Sequence, residues 1–197
     1  MRNPTWEVDP YNLRKTRNDN ELQVFLLFAI VCAGKSAEQM AKKVLQFGGH
    51  QPLAPFDYMR QLDEQGALES ELKRIKMGKY TDQIPGFRTA YENPDCVSWD
   101  RKELVTISGI SWKTASFFQA YAYGAKVAIL DTHAMRWMRE KFPKLKMAKG
   151  SSPQDWDRYE ILEHIFLGAA LKAGLEPWEL DREIWYAAKG AELPLEL

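Results

Sequence analysis

Between Leu104 and Trp137 the chain reads LVTISGISWKTASFFQAYAYGAKVAILDTHAMRW, and no other stretch constrains its fold as tightly. Leu104 and Ile107 close one helical segment that begins near Trp99. Ser108-Gly109-Ile110-Ser111 is a turn with room only for a reversal, and Gly109 permits a positive φ there. A second helix is expected from Lys113 to about Tyr123, then the connector GAKVAIL, then a third helix opened by Asp131-Thr132 and running through Lys141. A turn of this kind aims several backbone N–H groups outward at the start of the second helix, where an anion can sit.

The rest of the sequence agrees with an all-helical chain. Leu13 to Asn20 is polar. Glu21 to Phe47 is expected to form one or two buried helices, since Leu22, Phe25, Leu26, Ile30 and Val31 recur at helical spacing and the pattern resumes after Ala33-Gly34-Lys35. Gly48-Gly49 is expected to end that segment in the usual glycine manner. Two shorter helices follow, Phe56 to Glu64 and Leu68 to Met77. Gly78 to Pro94 reads as a Gly- and Pro-punctuated stretch. Ser151-Ser152-Pro153 is expected to cap the next segment, and Asp155 to Ala173 and Pro177 to Ala188 are the last two helices. Alternation of the half-buried strand type is scarce, so the fold class is all-α, with short helices and tight turns.

Charge first argues against a nucleic-acid partner and then for one. The 27 basic residues balance the 27 acidic ones, giving a formal net charge of zero. Yet residues 101–150 carry 10 basic and 3 acidic side chains, while residues 151–197 carry 4 and 10. Asymmetry of this kind marks a surface that faces a polyanion, or a solvated helix face that pairs with an acidic neighbour. Cys32 and Cys96 form no disulfide framework and suggest a reducing compartment. His50, His133 and His164 are too scattered for a metal site, and two cysteines cannot hold a four-cysteine iron–sulfur cluster. The start, MRNPTWEVDP, has no apolar core of a signal peptide, and Val24 to Ala33 is too short to span a bilayer. A soluble cytoplasmic monomer without metal or other cofactor is expected.

The hairpin turn, Ser108 to Ser111, is the candidate DNA-phosphate-binding element. Lys113, near a helix start and beside Trp112 and Phe117, could act as an amine nucleophile, its pKa lowered by desolvation. Asp131 could serve as a base or stabilise developing positive charge. Singly, each is more often a surface lysine and a plain helix cap. Their joint occurrence in this arrangement favours chemistry. Trp112, Phe117, Phe118, Tyr121 and Trp137 could wall a base pocket, although at least two of Phe117, Phe118 and Tyr121 should be core, as should Trp185. His133 and Arg136 are further candidate substrate contacts; Arg136 and Arg139 lie either on phosphates or on a solvated face.

The run resembles the helix–hairpin–helix (HhH-GPD) DNA glycosylase superfamily, whose hairpin reads roughly L-x-x-[LI]-x-G-[IV]-G-x-K-T-A and precedes a V-D-T-H element. Leu104, Ile107, Gly109, Ile110, Lys113, Thr114 and Ala115 match it, as do Asp131, Thr132 and His133. Ser111 departs from the second hairpin glycine, and bulky Trp112 follows it. The resemblance implies a fold of two helical lobes with the site between them, residues 1–197 as one enzyme, and residues 101–142 as its hairpin and aspartate segment. It places Lys113 where bifunctional glycosylase/lyases keep the lysine that attacks the sugar, and Asp131 where they keep their essential aspartate.

Two branches of that superfamily are similar. Glu179-Leu180-Asp181 to Ile184-Trp185-Tyr186 resembles the tail of small archaeal-type 8-oxoguanine glycosylases. Ala33-Gly34-Lys35, Pro55-Phe56-Asp57, Gly78-Lys79-Tyr80 and KTASFF…VAILDTH look more like a viral branch linked to thymine hypermodification. The viral resemblance implies an amino acid:DNA transferase, in the host cytoplasm, in which an amino acid such as glycine displaces pyrophosphate from activated 5-hydroxymethyluracil. In that reading Lys113 contacts phosphate or carboxylate, Asp131 acts as a base or orients the amine, and Lys35 contacts pyrophosphate or the amino-acid carboxylate unless it is a solvated lysine between two helices. The transferase is the leading expectation; the alternatives are an N-glycosylase/AP lyase of the 8-oxoguanine type and a non-catalytic DNA-binding protein of the same fold. All of them need DNA, and the enzymes need a flipped base.

Overall fold

Helix α1, Asp19–Cys32, begins with a reciprocal cap: Asn18 accepts the Glu21 N–H and Glu21 accepts the Asn18 N–H, both at 3.0 Å. Leu22 and the unbroken run Val24 to Val31 are buried, so α1 is apolar on every side and lies inside its unit. The computed structural model describes residues 6–8, 16–49, 51–145, 147 and 152–190, and every regular element among them is helical. The chain divides into two units, residues 1–124 and 125–197. His50, Ser151 and the start of the polar segment at 13–15 lie outside the described residues.

In the first unit, α2 (Ala37–Gly48), α3 (Pro55–Glu64) and α5 (Tyr80–Glu92) pack around α1, and α4 (Leu68–Arg74) packs on α3 and α5. Gly48 and Gly49 do end α2, but not by a left-handed turn, since Gly49 has φ −60°. Gly48 is there for space. A β-carbon on it would fall 2.2 Å from the ring of buried Trp6, which also meets Phe47 and Tyr58 edge-on.

The stretch read as Gly- and Pro-punctuated is helix α5, with Pro85 inside it. Pro85 lacks the N–H that would bond to Thr81, and propensity alone disfavours a helix here. Tertiary contacts decide otherwise. Gln83, Gly86, Phe87, Ala90 and Tyr91 turn one face inward, while Pro85 faces solvent. Asp63 of α3 takes two bonds from Arg88, at 2.7 and 2.9 Å, and one from the Tyr91 hydroxyl at 2.7 Å. The helix foreseen to Met77 stops at Arg74.

A short 3-10 helix, Pro94–Ser98, leads to α6 (Arg101–Leu104) and α7 (Trp112–Tyr123). Helix α6 is a single turn, capped reciprocally by Asp100 and Glu103, and is shorter than the periodicity suggested. Gly124, at φ +66°, closes α7 and the unit.

The second unit holds α8 (Thr132–Lys141), α9 (Trp156–Ala173) and α10 (Pro177–Lys189), with α10 packed on both others. Asp155, not the Ser151-Ser152-Pro153 run, caps α9, accepting the Arg158 N–H at 2.9 Å. Ser152 is used elsewhere: its hydroxyl donates to the Leu130 carbonyl. Trp185, expected in the core, is half-exposed, with the Lys189 ammonium 3.6 Å from its ring centre.

Candidate active site

The reversal between α6 and α7 is held by two short-range bonds, Ile107 N–H to Leu104 O (3.1 Å) and Ile110 N–H to Ile107 O (3.0 Å). Ile107 and Ile110 are buried and anchor it, while Ser108 is half-buried and Gly109 exposed. Gly109 sits at φ +87°, a conformation that a side chain would strain. The hairpin rests on α5, where Gly86 lets the Ser108 carbonyl approach. Ser111 takes the N-cap of α7: its hydroxyl accepts the Thr114 N–H at 3.3 Å, and its carbonyl accepts that of Ala115 at 2.8 Å. The departure from glycine thus supplies a cap.

Lys113 follows in the first turn of α7, half-buried. It lies within electrostatic reach of Cys32 at the end of α1. Burial pushes that thiol above its ordinary value, and the Lys113 and Lys35 charges pull it back in part. Phe118 and Tyr121 are buried, as core residues should be. Phe117 is half-buried, with its ring centre 5.5 Å from Phe25 and 4.7 Å from Tyr121. Trp112 is half-buried.

Asp131 belongs to the second unit, as the N-cap of α8. Both capping N–H groups, from His133 and Ala134, bond to the same oxygen, Oδ1, at 2.8 Å. Oδ2 takes no part in the cap, so capping and chemistry do not compete for one atom. The backbone leading to Asp131 is clamped from α9. Tyr159 Oη donates to the Ala128 carbonyl (2.7 Å) and accepts the Leu130 N–H (3.3 Å), and Glu163 accepts the Ala128 N–H (2.9 Å). Tyr159 and Glu163 are almost fully buried. Neither was singled out from sequence; the available signal was a glutamate on the buried face of an apolar helix. The His133 ring places Nδ1 in the interior with no hydrogen-bond partner. Arg136 is exposed, and Trp137 packs on Phe142 and Phe166 within the same unit.

Lys35, expected to contact substrate or to lie as a solvated lysine between two helices, donates to the Met77 and Gly78 carbonyls. Burial, then the charges of Lys79 and Lys43, hold its ammonium below its ordinary value. Among the described residues no cluster of His, Cys, Asp and Glu could hold a metal ion, and no helix is long and apolar enough to cross a membrane.

No protein-family model matches the chain. It is 27% identical over 194 residues to the 8-oxoguanine DNA glycosylase/AP lyase of Thermoplasma volcanium, covering 93% of this chain and 88% of that protein. The crystal structure of the 8-oxoguanine DNA glycosylase of Methanocaldococcus jannaschii superposes with a TM-score of 0.70 at 23% identity, over 90% of this chain and 82% of that one. The glycosylase/lyase of the same organism, in complex with a 15mer DNA containing 8-oxoguanine, superposes at 0.69 with 25% identity, over 91% and 86%. The chain thus carries the all-helical fold of these solved glycosylases and is similar to 8-oxoguanine DNA glycosylases along nearly its whole length.

Proposed function

We propose that the chain is a DNA N-glycosylase with AP-lyase activity on an oxidised purine of the 8-oxoguanine type. What carries the reading is the similarity to a glycosylase/AP lyase across 93% of the chain. The chain itself has a hairpin with a glycine at positive φ, and Lys113 stands in the first turn beyond it. The hairpin grips a backbone phosphate, and the damaged nucleotide is turned out of the stack. The free amine of Lys113 attacks C1′, the bond from C1′ to the base breaks, and the base leaves with the bonding electrons and takes a proton. Loss of an amine proton and opening of the sugar ring give an imine. Removal of a C2′ proton then expels the 3′ phosphate, and water releases Lys113. Asp131 stabilises the positive charge that grows on the sugar, its carboxylate oriented by the two amides on Oδ1.

The amino-acid transfer reading has no counterpart among these relatives. One experiment separates the two. Duplex containing 8-oxoguanine is incubated with the protein and borohydride. A covalent adduct in the wild type that is missing in Lys113→Gln supports the glycosylase/lyase. No base release and no adduct, together with a gain of glycine mass on DNA carrying pyrophosphorylated 5-hydroxymethyluracil, replaces it with the transferase.

A further inference from the structure

Two loops of the first unit, far apart in sequence, are tied together by crossed lysines. Lys35 reaches from the loop after α1 to the Met77 and Gly78 carbonyls, and Lys79 reaches back to the Ala33 carbonyl at 3.0 Å. Lys43, on α2, donates to the Lys76 carbonyl. The fit is close. A β-carbon on Gly78 would lie 3.5 Å from the Lys35 ammonium, and one on Gly34 would lie 3.3 Å from that of Lys79. Both glycines have φ +71°.

This arrangement gathers three lysine ammoniums at two loops, with Glu38 and Asp82 in the first turns of the helices that follow. Every acceptor in it is an uncharged carbonyl. Each ammonium has three N–H donors; the carbonyls use two of Lys35's and one each of Lys43's and Lys79's. The side chains whose charges act on Lys35 are Lys79, Lys43 and the Cys32 thiol, with no carboxylate among them. Among the described residues, the non-glycines at positive φ are Lys76 and Lys79, so the backbone is strained to hold this turn. Helices α2 and α5 begin immediately after the two loops, adding the positive ends of two helix dipoles. Charges held this close repel one another, and a bound anion would relieve that repulsion.

We infer that Lys35, Lys43 and Lys79 form a phosphate-binding site in the first unit, distinct from the hairpin turn. The ligand is a phosphate or pyrophosphate group, either part of the DNA backbone or free in solution. The inference does not rest on the glycosylase reading, because both sources present the same anion.

The test labels lysines of the wild-type protein with an amine-reactive acetyl ester, read residue by residue by mass spectrometry and normalised to exposed Lys172. Three additions are compared: undamaged duplex, the same duplex with 8-oxoguanine, and inorganic pyrophosphate. Slower labelling of Lys43 and Lys79 with both duplexes assigns a backbone phosphate, and the double variant Lys43→Gln/Lys79→Gln then lowers the salt dependence of DNA affinity by about one to two units of slope. Protection by pyrophosphate but not DNA assigns a free phosphate ligand. Protection without base release upholds the site while the glycosylase reading falls. Labelling unchanged by all three additions overturns the site, and that outcome needs no variant to fold.

Discussion

A β-carbon added at Gly86 would stand 2.2 Å from the carbonyl oxygen of Ser108, so helix α5 can support the hairpin only through a glycine. In an exposed helix, replacing glycine with alanine adds up to about 1 kcal/mol of stability. Here overpacking should win, at a cost of about 1–3 kcal/mol, because the clash is with backbone. Gly86→Ala is expected to lower the melting temperature and weaken DNA binding together. A variant that melts higher and binds DNA normally would mean that the hairpin is not positioned by α5.

Asp131 caps α8 and is proposed to act on the sugar, and two substitutions separate these tasks. Asn keeps an oxygen for the His133 and Ala134 amides but carries no charge. Asp131→Asn should therefore fold with near-normal stability and lose base release. Asp131→Ala should lose base release and also about 1 kcal/mol of stability. Unimpaired excision by the Asn variant would remove Asp131 from the chemistry.

Tyr159 contributes through position. Removing its hydroxyl strands the Ala128 carbonyl and the Leu130 N–H in the interior, at a cost of about 1–3 kcal/mol. Loosening the backbone that carries Asp131 should slow single-turnover base release in Tyr159→Phe. DNA affinity should stay unchanged, because the hairpin belongs to the other unit. Equal losses in affinity and rate would point to general unfolding instead.

Asp63 ties α3 to α5, and that tie depends on pH. The bonds from Arg88 hold its carboxyl below the ordinary value of 3.8; partial burial opposes them, and the Tyr91 bond adds to them. A carboxyl depressed in the folded state contributes its stability above the unfolded value and loses it as pH falls through the folded one. The wild type should therefore lose stability below pH 3.8 more steeply than Asp63→Asn does, in urea melts at matched pH. Parallel pH profiles would show that the tie contributes nothing.

The sequence by itself determined the elements whose causes are local. The cap at Asp131, the glycine at position 109 and the helical runs of α1, α7 and α9 each depend on neighbours within a turn or two. They were legible for that reason, and so was the candidate pair Lys113 and Asp131. Tertiary structure decided what depends on distant partners. Helix α5 runs through Pro85 because Asp63 and the Ser108 carbonyl hold its faces and its own Phe87 is buried. The aspartate's backbone is set by Tyr159 and Glu163, about thirty residues further on. The lysine pair 35 and 79 lies outside the basic block of residues 101–150, because charge counted along a chain does not register charges that folding brings together. Period and capping are properties of a segment; clamps, close approaches and charge clusters arise where segments meet.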